Sequence, residues 1–228
     1  MSIFTGLYPN EHGVFPPNGA LASSIPTLPE VLQEAGYRTA GFTEGGYMAG
    51  HFGFDRGFEA FNDEGPKLNN DIEITFSRGL EFLHGTSKSD PVFLLLHTYA
   101  IHDPYFPPLP YTTLYLDGLA TPASFQDRFD FFNHTELPLM TPRRTEEHRQ
   151  IYQATRDLIT RSLPPGADLP TGPLLAAKNR GEPRTLTPET LAYYTSLYDA
   201  SINYVDDVMA AFFGSLEKMG LLDETLII

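Results

Sequence analysis

The 228 residues contain no cysteine, which excludes disulfides, cysteine-ligated zinc and a thiol nucleophile from this chain. Long apolar runs are missing too. The longest aliphatic and aromatic stretch, Val92 to Leu96, falls far short of the roughly 20 residues a membrane span needs. No membrane span is therefore expected. Positive charge is scarce: 15 Lys and Arg stand against 29 Asp and Glu, a formal net charge of −14. That field repels phosphate backbones and anionic lipids, so nucleic acid is not an expected partner. It also opposes an anionic ester, so any site for one must supply its own local positive charge. The opening Met1-Ser2-Ile3-Phe4-Thr5-Gly6 lacks a basic segment followed by an apolar one and does not read as a signal peptide. A parent with sequence upstream stays compatible with a periplasmic or secreted location.

What is present is globular composition, 41% hydrophobic and 19% charged. Thr27 to Gly36 reads as a helix with Thr27 as N-cap, Leu28, Val31, Leu32 and Ala35 at helical spacing, and Gly36 as the stop. Arg38 to Thr43 reads as a short strand. A second helix is expected over about Asp71 to Leu83, with Ile72, Phe76, Leu80 and Leu83 on one side. Pro91 to Thr98 follows as an apolar run too short for a helix, predicting a central parallel strand buried on both faces.

From Asp117 to Leu186 proline and glycine become frequent, and one amphipathic stretch stands out, Glu146 to Leu163. The span 117–186 reads as an insertion. A long helix opens at Thr187-Pro188-Glu189, where a cap, a proline at the first position and an early acid coincide. Leu191, Tyr194, Tyr198, Ile202, Val205, Met209, Phe212, Leu216 and Met219 sustain its period as far as Gly220, and Thr225 to Ile228 reads as the start of another strand. Helix and strand alternation predicts an α/β fold with a mostly parallel sheet flanked by helices. Ligands of such folds sit at the carboxyl ends of strands, so the loops after Thr43 and Leu96 are the places for chemistry.

The second loop reads His97-Thr98-Tyr99-Ala100-Ile101-His102-Asp103-Pro104-Tyr105-Phe106-Pro107-Pro108. A buried strand leading into polar, proline-stiffened text positions side chains over a site, although His97 as a core histidine and His102-Asp103 as turn chemistry are equally open from these residues alone.

Five motifs in order resemble the sulfatase family of the alkaline-phosphatase superfamily. Ser2 to Val14 (SIFTGLYPNEHGV) resembles the text after the family's C/S-x-P-S-R signature. Leu28 to Phe42 resembles its L-x-x-x-G-Y-x-T-A segment, and Phe52 to Phe61 its G-F-D-x-G-F-x-x-F. FLLLHTYAIHDPYFPP resembles F-x-x-H-x-x-x-x-H-x-P-Y, and Tyr198 to Ile228 the helix and strand leading into T-S-D-H-G-E. The resemblance implies hydrolysis of a small-molecule or carbohydrate sulfate ester by a formylglycine nucleophile at a calcium site. His102 matches the histidine of H-x-P-Y, implied to contact the sulfate or protonate the leaving oxygen, and His97 matches a less constant position.

The same resemblance puts the nucleophile before Ser2 and the calcium carboxylates outside both ends, so no metal ligand is expected here and the chain alone is expected to be an inactive, incomplete domain. Where many members carry G-K-W-H-L-G, this sequence has Phe42-Thr43-Glu44-Gly45-Gly46-Tyr47-Met48-Ala49-Gly50-His51, without lysine. Either Glu44, Tyr47 or His51 is then expected to take over substrate binding, or the substrate is recognised differently in this subfamily. Bland readings hold elsewhere: His12 as a turn histidine, Asp199, Asp206 and Asp207 as a solvated helix face, Tyr193, Tyr194 and Tyr198 as packing, Arg143-Arg144 as exposed. The alternatives are a phosphoesterase or phosphoryl-transfer relative, or a catalytically inactive module.

Overall fold

The computed structural model describes residues 1–15, 19–64, 72–102, 105, 107–115 and 188–228. The expected insertion at 117–186, its Glu146–Leu163 stretch and the Arg143-Arg144 pair lie outside the described residues. Two compact units emerge, Met1–Tyr99 with Asp207–Ile228, and Ala100–Asp206.

In the first unit the short helices α1 (Ser2–Thr5) and α2 (Pro9–His12) precede α3 (Leu28–Glu34). Thr27 caps α3 as expected: its hydroxyl accepts the Glu30 N–H while the Glu30 carboxylate accepts the Thr27 N–H at 2.8 Å, a reciprocal capping box. The burial of α3 differs from the spacing argument. Leu28 and Val31 are exposed and Pro29 is buried. The reason is Gly57, with φ +79, which brings its backbone against Pro29 and Glu30; an added Cβ would collide with the Glu30 nitrogen. Arg56 fixes that contact. Its guanidinium donates to the carbonyls of Ala22 (3.0 Å) and Ile25 (2.9 Å) and to both Glu30 oxygens (2.9 Å each).

Three parallel strands form the sheet: β1 (Arg38–Phe42), β2 (Ala60–Asn62) and β3 (Val92–Leu96), in the order β2-β1-β3. β1 is the middle strand. β3, expected to be central and buried on both faces, is half-buried along its length. Among the described residues it pairs only with β1, so its other edge gains no cover from a neighbouring strand. Helix α4 (Ile72–His84) packs on β1 and β3, with Gly79 admitting Leu96 and Leu94 at close range. Two apolar clusters hold this unit together. One gathers Phe4, Val14, Leu21, Ala49, Phe52 and Phe54. The other joins Leu83 of α4 and Leu94 of β3 to Phe212 and Leu216 of the long helix α5 (Pro188–Met219).

Helix α5 follows the expected seam from Val205 onward, but not before. Before Val205 its buried residues are Tyr193, Ser196, Leu197, Ala200, Ser201 and Tyr204, while Leu191, Tyr198 and Ile202 are exposed. Both sets recur at three and four residues, so periodicity alone does not choose between them. In the second unit Tyr105 packs edge-on against Tyr198, and Tyr111 packs in a tilted geometry against Tyr204, with ring centroids 5.2 Å apart in each pair. The expected strand at Thr225 to Ile228 does not form. A 3-10 turn, Leu222–Glu224, precedes it, and Leu226 and Ile228 are exposed. A strand needs a hydrogen-bonded neighbour, and none pairs with it among the described residues.

Candidate active site

Register aligns the carboxyl ends of all three strands. Phe42 stands opposite both Asn62 and Leu96, and the ladder runs one step further through Thr43 N–H to Asn62 O (2.9 Å) and His97 N–H to Phe42 O (3.0 Å). The residues leaving this edge are therefore Thr43-Glu44, Asp63 and His97-Thr98-Tyr99, the place where parallel α/β sheets present ligand-binding groups.

The loop after β1 turns sharply because it contains Gly45 and Gly46, with φ +75 and +58. A Cβ on Gly45 would lie 2.8 Å from the Asp63 carbonyl, and one on Gly46 would lie 2.8 Å from the Tyr99 hydroxyl. The turn is thus packed against the ends of both neighbouring strands. Two 3-10 turns follow, Gly46–Met48 and Gly50–Phe52. The Asp63 carboxylate accepts the Gly50 N–H at 2.7 Å and anchors the second, which carries His51.

Glu44, expected to bind substrate, is buried. Its carboxylate accepts the Thr98 hydroxyl and the Tyr99 N–H, each at 2.7 Å. Tyr99 replies across the same gap, its hydroxyl accepting the Tyr47 N–H at 3.0 Å. Burial pushes the Tyr99 hydroxyl pKa up, and the nearby Glu44 charge adds to this against the hydrogen bond from Tyr47. The phenol stays protonated at neutral pH. The Tyr47 ring itself is 59% exposed, and His51 is exposed with its ring against Phe52 at 3.9 Å.

His97 sits at the end of β3 with its ring edge-on to Tyr99, 4.8 Å between centroids. Its Nδ1 is buried without a hydrogen-bond partner. Burial pushes its pKa down, so the ring is neutral at pH 7. His102 belongs to the second unit and is exposed. Glu44, Tyr47, His51 and His97 thus gather around the ends of β1 and β3 within the first unit. Thr98, Tyr99 and Asp63 complete that edge and were not singled out from the sequence. The Gly45-Gly46 pair was the available signal, since two glycines together mark a close approach by something, here Tyr99 and Asp63.

The bland readings can be placed as well. His12 is buried, with Nδ1 accepting the Val14 N–H at 3.1 Å, so its proton resides on Nε2 and is donated to Ser2 Oγ at 3.2 Å. It is a turn histidine and cannot act as base toward that serine. Asp199, Asp206 and Asp207 are exposed on α5. Among the described residues no three His, Asp or Glu side chains come together to hold a metal ion, and no helix is long and apolar enough to cross a membrane.

No curated protein matches the chain significantly. A solved structure described as BT4656 in complex with its substrate D-glucosamine-2-N,6-O-disulfate is similar, with a TM-score of 0.61 and 18% identity. The match covers 97% of this chain and 52% of that one, so this chain spans about half the length of that protein. At this identity the likeness speaks for the fold, an α/β sheet flanked by helices as expected. The sulfatase family profile matches residues 1–228, and the chain belongs to the sulfatase family.

Proposed function

We propose that this chain is part of a hydrolase of sulfuric esters, with a sulfated carbohydrate as the substrate class. The observation that carries this reading is the sulfatase profile over residues 1–228, together with polar residues that leave the carboxyl edge of a parallel sheet. The similar protein BT4656, whose substrate is a glucosamine disulfate, supports the carbohydrate class.

The family implies calcium and a formylglycine, which together supply a nucleophile and neutralise sulfate oxygens. The described residues do not fit the metal, because no cluster of three ligands forms among them. What this chain contributes is acid and binding chemistry. His102 is assigned as the group that protonates the bridging oxygen as the sulfur–oxygen bond breaks. Tyr47, His51 and His97 are read as groups that bind the substrate. Glu44 faces the ends of the same strands, with both carboxylate oxygens engaged.

The test is turnover by the full-length protein of three substrates in calcium: a chromogenic aryl sulfate, the matching aryl phosphate and a sulfated glucosamine. Hydrolysis of either sulfate ester, with the phosphate far slower, is the expected result. Preference for the phosphate would move the protein to a phosphoesterase reading. Silence on all three would leave a non-catalytic domain.

A further inference from the structure

We propose that Glu44 is a positioning residue, a buried strut that holds the loops after β1 and β3 together, and not a group that touches the substrate. This rests on the reading of the strand ends as a sulfate-ester site and refines the part of Glu44 in it.

The argument begins with charge. A chain with a net charge of −14 has little use for another carboxylate beside an anionic ester, where like charges repel. Yet Glu44 is 9% exposed, and burying a carboxylate is costly unless donors replace its water. Here each oxygen has its own. Thr98 Oγ1–H serves Oε1 and the Tyr99 N–H serves Oε2, both at 2.7 Å, the short range of charge-assisted bonds. The two donors are consecutive on the chain leaving β3, and the acceptor is the second residue beyond the end of β1. The carboxylate therefore bridges adjacent strands just where their backbone ladder stops.

The tie is closed from the other side. Tyr99, whose N–H is held by Glu44, accepts the Tyr47 N–H on its hydroxyl at 3.0 Å and packs over Gly46. Residues 44 to 47 and 97 to 99 thus form one loop of contacts in which Glu44 and Tyr99 each bridge both segments. His97 and Tyr47, read as substrate-binding groups, hang on its rim. Removing the carboxylate would free both segments at once.

A double-mutant cycle of Glu44→Ala with Thr98→Val in the full-length protein tests this, with Glu44→Gln as the conservative variant. KM and kcat are read on a chromogenic aryl sulfate, and amide exchange is read at Tyr99 and Tyr47. Glu44→Ala is expected to raise KM about tenfold with a smaller change in kcat, and Glu44→Gln, which keeps an acceptor, to restore part of it. Thr98→Val should raise KM in the same direction, and the double variant should cost less than the product of the two. Exchange at Tyr99 should accelerate in Glu44→Ala and recover in Glu44→Gln. Independent effects, with Thr98→Val leaving KM unchanged, would make Glu44 a direct substrate ligand and overturn the proposal. Unchanged exchange at Tyr99 would also overturn it. If the wild-type protein hydrolyses no sulfate ester, the sulfatase reading fails while the exchange measurement still decides on the strut.

Discussion

The Tyr99 hydroxyl accepts the backbone N–H of Tyr47 at 3.0 Å, although the two residues are 52 positions apart. One is two residues past the paired end of β3 and the other lies in the turn after β1. Their bond depends on Gly46, since a Cβ there would meet the same oxygen at 2.8 Å. Gly46→Ala should therefore destabilise twice over. The left-handed φ of +58 costs about 1–2 kcal/mol in an alanine, and displacing Tyr99 adds to it. A lowered denaturation midpoint together with raised KM is expected, and an unchanged midpoint would show that the ring moves aside freely.

His102→Ala in the full-length protein should lower kcat/KM for an aryl sulfate by about 100-fold or more, the usual scale for losing a general acid. His51→Ala should cost less, because His51 is exposed in a turn whose text departs from the family's. A fall below about threefold for His102→Ala would mark that histidine as structural.

His97 gives a pH dependence. Burial pushes its folded-state pKa below the ordinary value near 6.5, so on acidification the unfolded chain takes up the proton first. Stability is then flat above that value and falls as pH drops from 6.5 toward the lower folded pKa. His97→Asn should reduce this part of the slope. Unfolding by denaturant across about pH 5 to 8 measures it, and an identical slope in wild type and variant would count against a buried neutral ring.

Gly57→Ala should be far worse than Gly6→Ala. Both residues have positive φ, +79 and +68, but a Cβ at Gly6 meets nothing within 4 Å. Gly6→Ala should cost about 1–2 kcal/mol. At Gly57 the backbone of Pro29 and Glu30 blocks the methyl group, adding about 1–3 kcal/mol of overpacking. Equal losses would mean that α3 shifts away without penalty.

Arg56→Lys should lower stability by about 2 kcal/mol despite keeping the charge. A lysine has no planar fork with which to reach Ala22, Ile25 and both Glu30 oxygens together. Thermal unfolding of the two proteins is the comparison, and equal midpoints would reduce the cluster to a surface ion pair.

By itself the sequence determined the family and the elements α3, β1, α4, β3 and α5, while β2 went unread and the strand expected at Thr225 to Ile228 does not form. The capping box at Thr27 and Glu30, the apolar run Val92–Leu96 and the start of α5 at Pro188 are local signals, set by the short-range chemistry of caps, alternation and proline. The strand ends were legible as the candidate site for the same reason, since parallel α/β sheets lead into ligand loops. Only the tertiary structure decided which face of each element is used. Two stripes on α5 share the helical period, and Tyr193–Leu197–Tyr204 is buried where Leu191–Tyr198–Ile202 was expected. β3 is half-buried because β1, 54 positions earlier in register, pairs with one edge and no strand pairs with its other edge among the described residues. Glu44 shows the limit most clearly. It was expected to bind substrate, and the donors on its oxygens, Thr98 and Tyr99, come from the segment after β3, 54 and 55 positions further along the chain. Which donors meet Glu44 depends on which strands pair, and neither segment shows that on its own.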